Sequence, residues 1–450
     1  MTQRMAYSSQ AKATLILGLP LVGSHLAQIA LHVTDTVMMG WYGVVPLAAV
    51  VLGTSFFFII WVLGAGFSKA VMPMVAGALA RGDETQVRRD TRMGLWLSIL
   101  YGVATYPLFY WSGNLLSFLG QQPDVVEIAA EFLQIAGLGM VPALCVAVLQ
   151  SYLAALGRTQ AVLWVTLAAV GLNAMLAYAL IFGHWGAPEL GATGAAISSV
   201  TVQTASYLLL WAYAAWLPAL RKFHLFQNFW RPDWAAFGQV QRLGWPIGLT
   251  SLAEGGLFAA SALMMGWVGT HELAAHGIAL EAASIAFMIH MGLSSAGTIR
   301  VARFHGTGEA QELRRAALVA ILLSTAVAVL VVTLFLSVPG LIIGIFLDET
   351  KAGSAEIMRF GVQLLAFAAL FQLADAMQVI ALGVLRGLQD TRVPMVLAAL
   401  SYWVIGIPIS YVLAFQMGMG GAGLWLGLVI GLTVAAGSLL ARFWLLAPKG

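Results

Sequence analysis

Charge is what this sequence has least of, since only 9% of its 450 residues are Asp, Glu, Lys or Arg. Soluble domains carry about 25% charged residues. With 60% hydrophobic residues and a mean hydropathy of +0.89, the chain has too few charges to cover a surface that faces water. The composition therefore excludes a soluble protein and predicts an integral membrane protein.

Other residue types and motifs are also missing. The single cysteine, Cys145, excludes an intrachain disulfide and a multi-cysteine metal site. No G-x-x-x-x-G-K-[ST] sequence is present, which argues against ATP-driven pumping by this chain. No basic run with interleaved aromatics accompanies the net charge of +3, so we expect no nucleic-acid partner. We also expect no cofactor and no cleaved signal peptide, because the first apolar run is too long for one.

Twelve apolar segments are long enough to cross a bilayer as helices, which takes about 20 residues each. The predicted spans are 13–40, 47–76, 92–117, 127–155, 160–183, 191–217, 243–269, 273–303, 314–338, 356–384, 393–415 and 420–446. Arginines cluster after the second, sixth, eighth and tenth spans. Because cytoplasmic loops are enriched in Lys and Arg, we expect both termini in the cytoplasm.

The chain contains an internal duplication. The segment MMGWYGVVPLAA (38–49) matches MMGWVGTHELAA (264–275) at 8 of 12 positions, an offset of 226 residues. At the same offset Pro20 matches Pro246 and Arg89 matches Arg315. A repeat of this length predicts two six-helix bundles, 1–217 and 243–450, joined by a cytoplasmic connector at 218–242. We expect a pseudo-two-fold axis along the membrane normal and a cavity between the bundles, as in alternating-access transporters.

Four carboxylates lie well inside predicted spans: Asp35, Glu254, Glu281 and Asp375. A charge at the bilayer centre costs about 2.5–3.5 kcal/mol on insertion scales, so each needs a reason. Glu254 and Asp375 both lie roughly 16–18 Å along their helices from the nearest cytoplasmic arginine, and so share one depth. Such a pair can bind Na⁺ as a metal site or share one proton. Separate neutral partners for each acid are the alternative.

A polar stripe runs through the first span in HLAQIALHVTDT (25–36). His25, Gln28, His32 and Asp35 are spaced three or four residues apart, which puts them on one helix face. We expect this face to line the cavity, with the histidines as proton relays or as packing groups. Asn173 in the fifth span is the best polar partner for Asp35, unless it serves only in helix packing.

These residues resemble the multidrug and toxic compound extrusion (MATE) family, particularly its NorM-type bacterial branch. The similar segments are LPLVGSHLAQIALHVTDTVMMG, WPIGLTSLAEGG, AAHGIAL and FQLADAMQVIALGVLRGLQDTRVP. The resemblance implies a drug/cation antiporter of the bacterial inner membrane, with two six-helix bundles and a central cavity. It also implies a cation site formed by Glu254 and Asp375, and a second site with Asp35 and Asn173.

The chain departs from the family pattern at a few positions. Phe371 stands where relatives often have tyrosine, and Ala177 where some have a second acid. Glu281 occupies a position that is often neutral or histidine, which makes it a candidate replacement contact. Gln378, like Gln28 and His32, is a further candidate contact of the cavity or the ion.

The predicted function is export of organic, mostly cationic drugs by a monomer in exchange for Na⁺ or H⁺. The alternative is a flippase for a lipid or lipid-linked saccharide, although few cationic side chains besides Lys69 would hold its phosphates. An intramembrane hydrolase would need a nucleophile with a base or metal, and these residues provide no such set. We therefore expect no enzyme activity.

Overall fold

The computed structural model describes residues 5–347 and 353–448, and this part of the chain is helical with no strand. Twelve of its helices are long and apolar enough to cross a membrane, which confirms the predicted count and fold class. They are α1 (Tyr7–Tyr42), α2 (Val44–Ala80), α3 (Glu84–Tyr110), α4 (Pro123–Ala155), α5 (Thr159–Phe182), α6 (Gly191–Trp216), α7 (Trp234–Val268), α8 (Thr270–Thr307), α9 (Ala310–Ser337), α10 (Ser354–Gly387), α11 (Arg392–Gln416) and α12 (Gly420–Leu446).

Several helices extend beyond the predicted apolar spans. The helix α7 begins at Trp234 rather than 243, so the predicted connector 218–242 contains a short helix, Pro218–Arg221, and the first turns of α7. The helix α3 begins at Glu84 rather than 92 and ends at Tyr110, where a separate short helix, Ser112–Phe118, follows. Hydropathy detects only the apolar core of a helix, whereas polar turns continue the same backbone hydrogen bonds into water.

Two long helices contain irregular turns. A 3₁₀ turn, Gly137–Gly139, interrupts α4, and two π-helical segments, Leu400–Gly406 and Val412–Gln416, interrupt α11. A π-helical turn widens the helix and frees backbone groups, and such turns are frequent at functional sites. The π-helical segment Leu400–Gly406 carries Tyr402, whose side chain is fully buried.

The chain divides into two compact units, each described separately below. The N-terminal unit comprises 23–248, and the C-terminal unit comprises the described parts of 1–22 and 249–450. The two breaks fall after Val22 and after Gly248, positions that are themselves 226 residues apart. Each break lies two residues beyond a helix proline, Pro20 or Pro246. The predicted bundles 1–217 and 243–450 remain a prediction about how the sequence halves are organised.

The same glycine-based packing occurs once in each unit. In the N-terminal unit, Gly66 of α2 lies directly against the backbone of Gly244 and Gly248 in α7. In the C-terminal unit, Gly292 of α8 lies against the backbone of Val22 in α1, where an added Cβ would stand 2.6 Å from the Val22 nitrogen. These positions correspond through the 226-residue repeat. A larger residue would separate the helices, since close helix approach in membranes depends on small side chains.

Polar clusters hold the first turns of α1 and α7. In the C-terminal unit the buried Gln10 side chain donates to Glu312 Oε2 at 2.6 Å and accepts from Arg300, while Arg315 donates to the Met5 carbonyl at 3.2 Å. In the N-terminal unit two contacts hold Asp233 at the start of α7. Arg89 pairs with both its carboxylate oxygens, and Asp233 Oδ1 accepts from the Ala236 N–H at 3.1 Å. The Arg89 guanidinium lowers the pKa of the Asp233 carboxyl below its usual value.

Candidate functional site

Asp375 lies in the middle of α10, the most buried of the long helices of the C-terminal unit. Its side chain is 1% exposed, and neither carboxylate oxygen has a hydrogen-bond partner among the described residues. Nearly all buried polar side chains in proteins are hydrogen-bonded, so an unpartnered buried carboxylate requires an explanation. A bound cation or a bound proton would provide one, because either removes the uncompensated negative charge.

Four other charged or polar side chains interact with Asp375 or with one another: Glu254, Tyr402, Arg386 and Gln378. Glu254 of α7 is half-buried and lies near enough to Asp375 for the two carboxylates to repel each other. Tyr402 interacts electrostatically with both carboxylates and with Arg386 near the end of α10. The Gln378 side chain donates to the Tyr402 hydroxyl at 2.6 Å, and its own carbonyl oxygen is buried without a partner. The C-terminal unit thus collects oxygen ligands around one position.

The charges of this group fit one monovalent cation. Two ionised carboxylates and one arginine leave a net charge of −1, which a single Na⁺ or a single proton would neutralise. Carboxylate, amide and hydroxyl oxygens are the ligand types that hard cations prefer. Among the described residues no cluster of three or more His, Cys, Asp or Glu side chains provides a site for a transition metal. The donor set can therefore hold one monovalent cation or one proton.

The second carboxylate site lies in the N-terminal unit. Asn173 of α5 donates to Asp35 Oδ1 at 2.6 Å, and its own Oδ1 accepts from the Ser198 hydroxyl of α6 at 3.3 Å. Asn173 is 1% exposed, whereas Asp35 is half-buried. The structure therefore brings together the two residues that the sequence paired, and it adds Ser198. Because its amide oxygen is held by Ser198, the Asn173 side chain presents its N–H₂ group to the carboxylate.

The remaining candidate residues are more scattered. In the N-terminal unit Gln28 hydrogen-bonds to His25, with Lys69 nearby, whereas the side chain of His32 is exposed. In the C-terminal unit Glu281 is exposed, and no contact among the described residues joins it to Asp375. Phe371 is 2% exposed and packs edge-on against Phe258 and Trp425 one helical turn before Asp375.

Sequence reasoning missed Tyr402, Ser198 and the contribution of Arg386. Arg386 was visible only as a loop charge that indicates topology, and Tyr402 and Ser198 are ordinary residues in apolar helices. The spacing of a single helix does not show which side chains from two other helices face it. Only the π-helical turn around Tyr402 would mark it as unusual, and sequence periodicity does not predict such turns.

A helical membrane protein with duplicated packing, and with a buried carboxylate beside a half-buried one in the middle of one unit, has the features of a transporter. The MatE family profile matches residues 20–179 and 246–412, well over half of the chain, in two blocks that reflect the duplication. The chain belongs to the MatE family, as the resemblance in its sequence predicted.

Curated relatives and solved structures agree with this assignment. The chain is 46% identical over 444 residues to a protein named probable multidrug resistance protein NorM from Rhizobium meliloti (strain 1021), covering 99% of this chain and 95% of the relative. It is 44% identical to the protein of the same name from Agrobacterium fabrum (strain C58 / ATCC 33970), covering 99% and 96%. A crystal structure of a eukaryotic MATE transporter has the same fold, with a TM-score of 0.87 at 20% identity over 98% of this chain and 97% of that one.

Proposed function

We propose that this protein is a secondary active multidrug efflux antiporter, which exports organic and mostly cationic compounds in exchange for Na⁺ or H⁺. The observation that carries the proposal is Asp375, a fully buried carboxylate with no hydrogen-bond partner among the described residues and with Glu254 beside it. Curated relatives named as multidrug resistance proteins support the class of substrate.

Ion entry is coupled to drug export because the ion and the organic cation compete for the same negatively charged site. The inward ion occupies Asp375 and Glu254 and lowers the affinity for a bound organic cation, which is then released outward. An ion shifts the conformational balance only by its different affinity for the two states. Each net positive charge that moves inward per cycle contributes about 2.3 kcal/mol per 100 mV of membrane potential, so the potential drives export only when more positive charge enters than leaves.

The proposed setting is a bacterial inner membrane with both termini in the cytoplasm. Arginine residues cluster in the loops after α2, α6, α8 and α10, and this distribution supports the proposed orientation. We propose that a monomer is the functional form, because the cation ligands Asp375, Glu254, Gln378 and Tyr402 all belong to one unit of one chain. No cofactor enters this mechanism.

Transport in reconstituted liposomes tests the proposal. Ethidium or fluoroquinolone export is measured under an imposed Na⁺ gradient and then under a proton gradient, with Glu254→Gln alongside. Export driven by Na⁺ and lost in the variant would support a metal-ion site at Glu254 and Asp375. Export driven by protons and insensitive to Na⁺ would make the carboxylates a protonation switch and give Asp35 more weight.

Two outcomes would contradict the antiporter. Full drug export in Glu254→Gln under either gradient would remove the site from the mechanism. If neither gradient moves a drug but labelled lipid headgroups change leaflet, the flippase alternative replaces the proposal.

A further inference from the structure

The π-helical segment Leu400–Gly406 of α11 contacts both helices that carry the carboxylates of the candidate site. Tyr402 accepts a hydrogen bond from the Gln378 side chain of α10 at 2.6 Å. The next residue, Trp403, donates its indole N–H to the backbone carbonyl of Ala253 in α7 at 3.1 Å. Two consecutive side chains of α11 thus bind two different helices.

Both hydrogen bonds end beside a carboxylate. Ala253 immediately precedes Glu254 in α7. Gln378 follows Asp375 by three residues in α10, which is less than one helical turn. Tyr402 also interacts electrostatically with both carboxylates, and all of these residues belong to the C-terminal unit. The place of α11 therefore determines how α7 and α10, and with them the two acids, lie relative to each other.

The π-helical turn explains how one short segment reaches two neighbouring helices. Successive side chains of a regular α-helix point about 100° apart around its axis. A π turn closes its hydrogen bonds between residues i and i+5, so it contains more residues and brings successive side chains closer in direction. Tyr402 is 0% exposed and Trp403 45% exposed, so the first ring lies inside the unit and the second at its surface. A regular α-helical turn would move at least one of these rings away from its partner.

A glycine of α7 makes room for the indole. An added Cβ at Gly256 would stand 2.7 Å from Cζ2 of Trp403, whereas carbon atoms of neighbouring groups pack at about 3.5–4.0 Å. Cζ2 is bonded to the ring carbon that carries the indole nitrogen, so the ring cannot retreat from Gly256 without moving the N–H that binds Ala253. At Gly255, the preceding residue, an added Cβ would meet nothing within 4 Å. Gly256 therefore serves the contact with α11, and Gly255 does not.

A third helix, α12, holds α11 in place. An added Cβ at Gly431 of α12 would stand 2.8 Å from the Cα of Gly406. One at Gly427 would stand 2.4 Å from the Cα of Ser410. Helices in membranes approach this closely only through small residues. Because α11 packs against α12 at backbone distance, it gives the two aromatic side chains a firm support from which to hold α7 and α10.

We propose that Trp403 is a positioning residue that, with its neighbour Tyr402, sets the separation of the two carboxylates and thereby the affinity of the site for its coupling cation, Na⁺ or H⁺. The Trp403 indole holds the α7 backbone beside Glu254, and the Tyr402 hydroxyl holds α10 beside Asp375. Binding groups must stay within about 0.5 Å of their productive geometry, so a small shift of α7 weakens the site. The proposal rests on the proposed role of Glu254 and Asp375 as the coupling-ion site.

The dependence of export on cation concentration tests the positioning role. Ethidium export from liposomes is measured at saturating ethidium while the concentration of the driving cation, Na⁺ or H⁺, is varied. Gly256→Ala displaces the indole, and Gly255→Ala is the matched control on the adjacent residue. We expect the half-maximal cation concentration to rise at least about fivefold in Gly256→Ala, with an unchanged maximal rate, and to stay within about twofold in Gly255→Ala. Equal half-maximal concentrations in the two variants would overturn the proposal.

Substitutions of Trp403 separate cation positioning from drug binding. Trp403→Phe keeps a ring and removes the N–H that binds Ala253, whereas Trp403→Ala removes both. Loss of one hydrogen bond corresponds to a two- to tenfold change, so we expect the half-maximal cation concentration to rise about two- to tenfold in Trp403→Phe and at least as much in Trp403→Ala. The half-maximal ethidium concentration should stay unchanged. A change for ethidium alone would show that Trp403 contacts the drug and would contradict the positioning role.

A double-mutant cycle tests the contact itself through Tm in detergent, without transport. Gly256→Ala should lower Tm in the wild type because its Cβ displaces the indole. In the Trp403→Ala background the same change should not lower Tm, since alanine favours a helix more than glycine does. Gly255→Ala should have the same effect in both backgrounds. Additive Tm shifts for Gly256→Ala and Trp403→Ala would show that the two positions are independent and would overturn the proposal.

The two readouts distinguish failure of this inference from failure of the proposed function. Gradient-driven export with equal half-maximal cation concentrations in the two glycine variants would support the antiporter and reject the positioning role. Non-additive Tm shifts without export under either gradient would keep the contact between α7 and α11, but would reject the antiporter and the positioning role with it.

Discussion

Asp35 and Asp375 each lie in a long apolar helix, yet they differ in the partners that the protein provides. Asp35 accepts a hydrogen bond from Asn173 at 2.6 Å, and Ser198 orients that amide. Asp375 is more deeply buried, has no hydrogen-bond partner among the described residues and lies beside Glu254. The contrast teaches that duplication preserved the helix packing but gave the two units different electrostatic needs. The carboxylate left without a partner is the one that requires a cation or proton.

The largest expected effect is the loss of cation affinity when the charge of Asp375 is removed. Asp375→Asn keeps the shape of the side chain and removes its negative charge. A charge-assisted interaction contributes about 1.5–3 kcal/mol, so we expect cation affinity to fall roughly 10- to 100-fold. Equilibrium titration of the purified protein with Na⁺, and separately with protons, measures the change. Asp35→Asn is the matched control in the other unit, and unchanged affinity in Asp375→Asn would contradict the assignment.

Removing the hydrogen-bond partner of Asp35 should leave this carboxylate unpartnered, as Asp375 is. Asn173→Ala removes the amide that donates to Asp35 and leaves the carboxylate without its described partner. The expected loss is about 1–3 kcal/mol of unfolding free energy, seen as a lower Tm in detergent. Ser198→Ala removes only the longer bond to Asn173, and we expect a loss of about 0.5–1.5 kcal/mol. Equal Tm values for Asn173→Ala and the wild type would show that the hydrogen bond does not stabilise the unit.

The opposite change gives Asp375 a hydrogen-bond partner that it lacks in the wild type. Phe371 precedes Asp375 by one turn, and Phe371→Tyr would place a hydroxyl oxygen on that face of α10. One additional ligand or hydrogen bond is worth about 0.5–1.5 kcal/mol, so we expect cation affinity to increase about two- to tenfold. Phe258→Tyr, on the ring that packs against Phe371, is the control. Weaker binding in Phe371→Tyr would argue that the position serves only packing.

The sequence revealed the architecture well and the details of the sites only in part. Hydropathy predicted the twelve helices, the 226-residue offset indicated the duplication, and depth along the helices placed Glu254 level with Asp375. The polar stripe that contains Asp35 is visible in the spacing of one helix, and Asn173 was predicted as its partner because it is a polar residue inside another span. Tyr402 was not recognised because its importance comes from contacts among several helices. The breaks after Val22 and Gly248 depend on which neighbours each half of α1 and α7 contacts, and no local pattern encodes that choice.

The smallest predicted effect concerns the polar clusters at the starts of α1 and α7. The Arg89 side chain is 36% exposed and that of Asp233 17%, so solvent weakens this pair and we expect Asp233→Asn to cost less than about 1 kcal/mol. Because the folded-state pKa of Asp233 is lowered, its contribution is present above the unfolded-state pKa of about 3.9 and is lost as the pH falls towards the lower value. Melting curves between neutral and acidic pH measure this difference.

The matched change in the C-terminal unit is Glu312→Gln. Glu312 is 8% exposed and accepts from both Gln10 and Arg315, so we expect a larger loss of Tm than for Asp233→Asn. A larger loss in Asp233→Asn would contradict this ranking of the two clusters.

Gradient-driven drug export by Asp375→Asn, measured beside Asp35→Asn in the same liposome preparation, tests whether the coupling ion binds at Asp375. Ethidium export is recorded under an Na⁺ gradient and under a proton gradient at a fixed membrane potential. We expect Asp375→Asn to lose its response to whichever gradient drives the wild type, whereas Asp35→Asn keeps a response. A normal gradient response in Asp375→Asn, with the response lost only in Asp35→Asn, would contradict it and place coupling in the N-terminal unit.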